Sequence, residues 1–167
     1  MTSPYRPFPF ALETERLTLQ LWEESDAPGY RELVAERGDA KPSLEDALAD
    51  IRGARESAPG RGIHLLTLRL HGSDEFLGYC GLVIGRASIE EPEIAYELLR
   101  SAHGYGYATE AAEAIVDAAR ATGRTRLWST VRNWNAPSFR VLEKIGFTRD
   151  HSTTDDRGEI VWLTRNL

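Results

Sequence analysis

The chain has 167 residues, 41% of them hydrophobic and 28% charged, which fits one ordinary domain with a real core and excludes a disordered or collagen-like chain. Its net charge of −6 argues against nonspecific nucleic-acid binding and suits a cationic partner such as an amine or a basic peptide. The lone Cys80 excludes an internal disulfide, and the absence of a long apolar run or a basic-then-apolar leader predicts a cytoplasmic protein with no membrane partner.

The opening residues hold Pro4, Pro7 and Pro9 and read as an irregular arm, residues 1–11. Leu12 to Leu21 shows alternation at Leu17, Leu19 and Leu21, a strand signal. Ser25 and Asp26 can cap a helix through Tyr30, Leu33 and Val34, ended by Gly38. Ser43, with Asp46 three residues on, has the spacing of a capping box before a helix using Leu44, Ala47, Leu48 and Ile51. Ala58-Pro-Gly-Arg-Gly62 reads as a loop. Ile63 to Leu70 and Phe76 to Ile84 form a hairpin, and Glu93 to Leu99 a third strand with Ile94, Tyr96 and Leu98 on one face. A helix follows from Tyr107 to Ala121, with Ala108, Ala112, Ile115 and Ala119 as its apolar stripe. Leu127 to Val131 is a strand. Asn135 opens another helix, with Phe139, Leu142 and Ile145 inward and Gly146 at the left-handed C-cap. Phe147 and Ile160–Thr164 supply the last strands. The order β-α-α-β-β-β-α-β-α-β-β predicts a mixed α/β fold with one core, residues 1–167 forming a single domain.

The most informative segment is His103-Gly-Tyr-Gly-Tyr-Ala-Thr-Glu-Ala111, a glycine turn between a strand and a helix. The first turn of a helix carries N–H groups without intrahelical partners, which with the helix dipole form an anion site. Glycines let the backbone approach phosphate closely. The dinucleotide fingerprint fails, because Glu110 stands where its third glycine belongs, and no Gly-Lys-Ser/Thr of a P-loop occurs. On these residues alone, a plain strand-to-helix turn and a pyrophosphate site stay open as alternatives. A second segment, Asn135-Ala-Pro-Ser138 running on to Glu143-Lys-Ile-Gly-Phe147, reads locally as an N-capped helix with proline in its first turn.

Together these segments resemble the GNAT superfamily of acyl-CoA N-acyltransferases. The glycine phrase, the Asn135-x-x-Ser138 helix and the opening Leu12-Glu-Thr-Glu-Arg-Leu17 occur in the order of its ribosomal-protein alanine N-acetyltransferase (RimJ/RimL-like) branch. The resemblance implies a central, mostly antiparallel twisted sheet with helices on both faces. Its strands Glu93–Leu99 and Leu127–Val131 would splay to admit acetyl-CoA. It implies transfer of an acetyl group to a primary amine, a protein N-terminus or a small molecule, by direct attack in a ternary complex. His103, Gly104, Tyr105, Gly106, Tyr107, Ala108 and Thr109 would hold the pyrophosphate, with Tyr105 and Tyr107 packing over the loop. Leu98 and Leu99 would pair through their backbone with the pantetheine amides, and Asn135 and Ser138 would lie along the arm. A homodimer is among the expected assemblies.

Two residues depart from the family pattern. His103 stands where Arg or Gln is common. Leu142 occupies the position of a tyrosine acid used outside this branch, and it has no proton to give. Transfer to an amine needs a base for the ammonium proton and help for the leaving thiolate. By resemblance Glu93 is the expected base, and Glu97, on the same face by alternation, the second candidate. Ser138 is the expected donor to the CoA sulfur. Glu110 reads as a structural first-turn charge, and Cys80 as a buried small hydrophobe. His64, His71, His103 and His151 show no metal-ligand spacing, so no metal is expected. The alternative function is a non-catalytic acyl-CoA-binding or sensing module, against which stand the intact glycine loop and both carboxylates. Acceptor identity would lie in Trp22–Gly62 and Asp150–Gly158.

Overall fold

A computed structural model describes residues 3–167, so the first two residues of the expected arm lie outside the described residues. In chain order the elements are β1 (Ala11–Glu13), β2 (Leu17–Gln20), α1 (Ala27–Glu36), α2 (Leu44–Arg61), β3 (Leu65–Leu70), β4 (Phe76–Val83), β5 (Glu93–Leu98), α3 (Tyr107–Ala121), β6 (Arg126–Arg132), α4 (Ala136–Lys144), β7 (Thr148–Asp155) and β8 (Gly158–Asn166). They build one sheet of order β1-β2-β3-β4-β5-β6-β8-β7. Every neighbouring pair is antiparallel except β5 and β6, which are parallel and meet at the single pair Glu93 opposite Trp128. This is the mixed, mostly antiparallel architecture expected.

The strand alternation divides the side chains between two layers. On one face Leu17, Leu19, Leu66, Leu68, Cys80, Leu82 and Ile94 pack against Ala111, Ala112 and Ile115 of α3 and Phe139 and Leu142 of α4. On the other, Trp22, Phe76 and Tyr79 pack against Ala27 of α1 and Ala47 and Ile51 of α2. Burial pushes the Cys80 thiol up, as befits a small hydrophobe in the main core.

Three expectations change. Leu12–Leu21 is not one strand but the hairpin β1–β2, because Thr14 turns the chain: its N–H donates to the Leu17 carbonyl at 2.9 Å and its hydroxyl accepts from Leu17 N–H at 3.0 Å. Asp26 does not cap α1 with its side chain. It is buried, paired with Arg69, and accepts from the Glu23 N–H at 2.7 Å. Ala58–Arg61 is helix rather than loop, and α2 runs through Pro59 to a left-handed Gly62 with φ 75°. The missing N–H of Pro59 costs the last turn one bond. Burial of Ala58 and the Arg55 guanidinium on the Trp22 carbonyl at 2.6 Å hold that turn in place. The arm is irregular in outline yet packed. Phe8 is fully buried, and Arg6 N–H donates to the Thr122 carbonyl at 2.9 Å.

Candidate active site

The gap between β5 and β6 has a local cause. Trp128 N–H donates to the Pro92 carbonyl at 3.0 Å, as a parallel ladder requires. The next donor, Thr130 N–H, would continue the ladder to Ile94. It donates instead to Glu93 Oε1 at 2.9 Å, and the Thr130 hydroxyl donates to the same oxygen at 2.5 Å. The Ile94 carbonyl takes the Ser129 hydroxyl at 3.2 Å. Side chains thus replace the ladder, and the strands part beyond this point.

Glu93 is only 5% exposed, and its second oxygen accepts from Arg86 N–H at 2.5 Å. It is not among the residues lining the cleft. Glu97 is in the wall of that cleft, whose volume is about 630 Å³. Its carboxylate receives Arg37 Nε at 2.8 and 2.9 Å, and the two side chains remain 29% and 37% exposed. Hydrogen bonding to Glu97 raises the Arg37 guanidinium, and burial pushes the facing Tyr79 phenol up to about 12.

Beyond the gap stands the glycine turn. Gly104 and Gly106 have φ of 84° and 80°, values that only glycine adopts without strain. Gly106 is the N-cap of α3 and no side chain caps that end. Among the described residues, the N–H groups from Gly104 to Thr109 have no protein acceptor, the next bond being Glu110 N–H to the Gly106 carbonyl. An ideal Cβ on Gly104 meets nothing within 4 Å, so the loop is open as well as donor-rich. These groups fit a pyrophosphate. Tyr105 and Tyr107 stack with centroids 5.4 Å apart, and Tyr105 is 59% exposed.

Asn135 caps α4, its Oδ1 accepting from Ser138 N–H at 3.4 Å. Ser138 lines the cleft, and its hydroxyl has no hydrogen-bond partner among the described residues. Leu142 is fully buried in the core. The expectation for Leu98 and Leu99 needs correction. Leu99 N–H donates back to Leu77 of β4 at 2.9 Å and its carbonyl accepts from Ala102 N–H at 2.9 Å, so Leu99 has no group free for a ligand; the Leu98 carbonyl takes the His103 ring at 2.9 Å, while its N–H points away from β4. By alternation the N–H and C=O of Tyr96 point away from β4 into the gap.

The cleft therefore brings together Glu97, Leu98, His103, Gly104, Gly106, Tyr107, Ala108, Thr109, Asn135 and Ser138, while Glu93 stays behind the wall. Sequence reasoning missed Tyr96, whose phenol donates to the Ser138 carbonyl at 3.1 Å and is pushed up by burial. It also missed Arg37, and Arg140 and Lys144, which line the cleft from one face of α4. The i, i+4 spacing of that last pair was the available signal. No group of three or more His, Cys, Asp or Glu suited to a metal occurs among the described residues, and no helix there is long and apolar enough to cross a membrane.

Residues 16–148 match the model of the acetyltransferase (GNAT) domain. The chain belongs to the GNAT acetyltransferase family. YkkB of Bacillus subtilis, itself uncharacterized, is 32% identical over 146 residues, 81% of this chain and 83% of YkkB. An acetyltransferase structure from Agrobacterium tumefaciens superposes with a TM-score of 0.77 at 27% identity, covering 100% of this chain and 99% of that one. RimL, a ribosomal L7/L12 alpha-N-protein acetyltransferase solved with coenzyme A, gives a TM-score of 0.75 at 17% identity over 97% and 98% of the two chains, a likeness of fold.

Proposed function

We propose that this protein is a cytoplasmic acetyl-CoA-dependent N-acetyltransferase acting on a primary amine in a ternary complex. The observation that carries this reading is the row of unpartnered N–H groups from Gly104 to Thr109 at the open end of the β5–β6 gap. Acetyl-CoA supplies an acetyl group activated as a thioester. The Gly104–Thr109 backbone holds its pyrophosphate, Arg140 and Lys144 add positive charge on the same side, and the Tyr96 peptide groups pair with its pantetheine arm.

Glu97 takes the base's role in this reading. It is the carboxylate in the wall, whereas both oxygens of Glu93 are already occupied. An incoming ammonium meets Glu36 and Glu97 at the cleft, and Arg37 yields Glu97 to it. Glu97 removes the proton the amine must lose, directly or through water. The amine nitrogen bonds to the acetyl carbon as the carbon–sulfur bond breaks, and the Ser138 hydroxyl hydrogen-bonds to the departing sulfur. Tyr96 holds the Ser138 carbonyl and so sets where that hydroxyl stands. The likeness to RimL, together with the Asn135-x-x-Ser138 phrase, supports placement in the ribosomal-protein acetyltransferase branch, with a peptide N-terminus as acceptor.

Incubation with acetyl-CoA and a panel of N-terminal peptides, polyamines and amino sugars, read by free-thiol release and product mass, tests the activity. Thiol release with at least one amine is expected; silence across the panel from a protein that binds CoA would favour a sensing module. Gly106→Val places a branched side chain at φ 80°, in the phosphate site, and should abolish CoA binding. Unchanged calorimetric affinity in the folded variant overturns the placement of the pyrophosphate.

A further inference from the structure

The opening Leu12-Glu-Thr-Glu-Arg-Leu17 phrase has no role in the chemistry above, yet the fold brings it to the start of α3. Glu110, in the first turn of that helix, receives three groups from the β1–β2 turn. Thr14 Oγ1 donates to its Oε2 at 2.6 Å, Arg16 N–H to the same oxygen at 2.9 Å, and Arg16 Nε to Oε1 at 2.7 Å. Arg16 Nη1 then donates to the Tyr105 carbonyl at 2.8 Å, inside the glycine turn. The guanidinium lies over the Tyr107 ring at 4.7 Å, and its Nη2 is 3.5 Å from where a Gly106 Cβ would be.

A carboxylate in the first turn of a helix is stabilised by the dipole and the free N–H groups. Those are the same groups a pyrophosphate needs, so an unpaired Glu110 would compete with the anion and repel it. Burial pushes the Glu110 carboxyl up, but the bonds from Thr14 and Arg16 outweigh it and hold it below the usual range, so it is ionised at neutral pH. The same hydrogen bond raises the Arg16 guanidinium. One side chain thus neutralises the carboxylate and ties down a carbonyl of the loop.

We infer that Arg16 is a positioning residue for CoA, setting the affinity of the glycine turn by neutralising Glu110 and fixing the Tyr105 carbonyl. This rests on the reading of that turn as the pyrophosphate site. It explains why a phrase near the N-terminus accompanies a glycine turn about ninety residues away: the two halves of one anion site are the β1–β2 turn and the start of α3.

The test is calorimetric titration of CoA into wild type, Arg16→Ala, Glu110→Gln and the double variant, with a melting temperature for each. Arg16→Ala should weaken CoA on the order of tenfold, the effect of one uncompensated charge near the surface. Glu110→Gln should bind at least as tightly as wild type. The double variant should recover at least half the logarithm of the loss, whatever its melting temperature, which a purely structural role would not give. Arg16→Gln replaces Arg16→Ala in both backgrounds if the alanine variant does not fold. An unchanged dissociation constant in Arg16→Ala, or an equal loss in both backgrounds, overturns the inference. Failure of the wild type itself to bind CoA is a separate outcome, and it removes the pyrophosphate site and this inference together.

Discussion

Glu93 and Glu97 lie on the same face of β5, four residues apart, and their surroundings are opposite. Glu93 sits where the strands still touch, with both oxygens occupied by groups of β6 and the turn before β5. Glu97 sits where the strands have parted, facing a cleft, with one partly exposed arginine as partner. The Glu93 oxygens are taken up within the fold by two backbone N–H groups and a hydroxyl. A carboxylate paired with a long, partly exposed side chain can exchange that partner for a substrate ammonium. The sheet face is the same for both; what differs is the distance from the point of strand separation.

The sharpest way to break this contrast is to remove the proton acceptor at each place. Glu97→Gln should lower turnover by about 10²–10⁴-fold, the usual range for a general base, with CoA affinity little changed. If Glu93→Gln alone does so, the contrast is inverted and Glu93 is the base. Glu93→Gln is expected to act on stability instead. The amide NH₂ must face one of the N–H donors now held by a carboxylate oxygen, at a cost of about 1–3 kcal/mol. For a domain of this size each kcal/mol lowers the melting temperature by about 2–4 °C, which differential scanning calorimetry resolves.

Ser138→Ala should slow the acyl-transfer step by about tenfold, the size of one lost hydrogen bond to a charged group. Alanine is the better helix former, so the melting temperature should hold. Full activity under conditions where chemistry limits turnover would leave Ser138 only its place in the α4 turn. The smallest effect lies far from the cleft and serves as a control. His64 is stacked on Phe10 with centroids 4.9 Å apart, and its Nε2 is 2.8 Å from the Pro9 carbonyl. Burial lowers its pKa below the ordinary 6.5, while Nδ1 is buried without a partner. The unfolded chain therefore takes up the proton first, and stability should fall as pH drops below about 6.5. Melting temperatures from pH 7.5 to 5.5 should show this decline, and His64→Gln should flatten it.

Features set by neighbours in sequence were legible in advance. The bounds Tyr107–Ala121 of α3 follow from the glycine turn and Gly123, and Ser43 accepts from Asp46 N–H at 3.0 Å, as its spacing indicated. Features set by distant partners were not. The Asp26 carboxylate belongs to Arg69. The partner of Glu97 is sixty residues away at the C-terminal cap of α1, and those of Glu93 are on β6 and in the turn before β5. Periodicity put both carboxylates on one face, but it carries no information on which donors stand opposite. Leu99 was misread for a related reason: whether a strand amide faces one neighbour or the other depends on register, and here the odd-numbered positions of β5 serve β4.

A parallel strand pair reduced to one rung is a fulcrum. On one side of Glu93 and Trp128 lie β1 to β5 with α1 to α3, and on the other lie β6, β8 and β7 with α4. The Glu93 carboxylate pins the spacing at the pivot by reaching across to Thr130. Past that pivot the two leaves are joined by side chains, α4 packing on α3 and the Tyr96 phenol reaching the Ser138 carbonyl, so the width of the cleft between the glycine turn and α4 is set by packing rather than by a strand ladder.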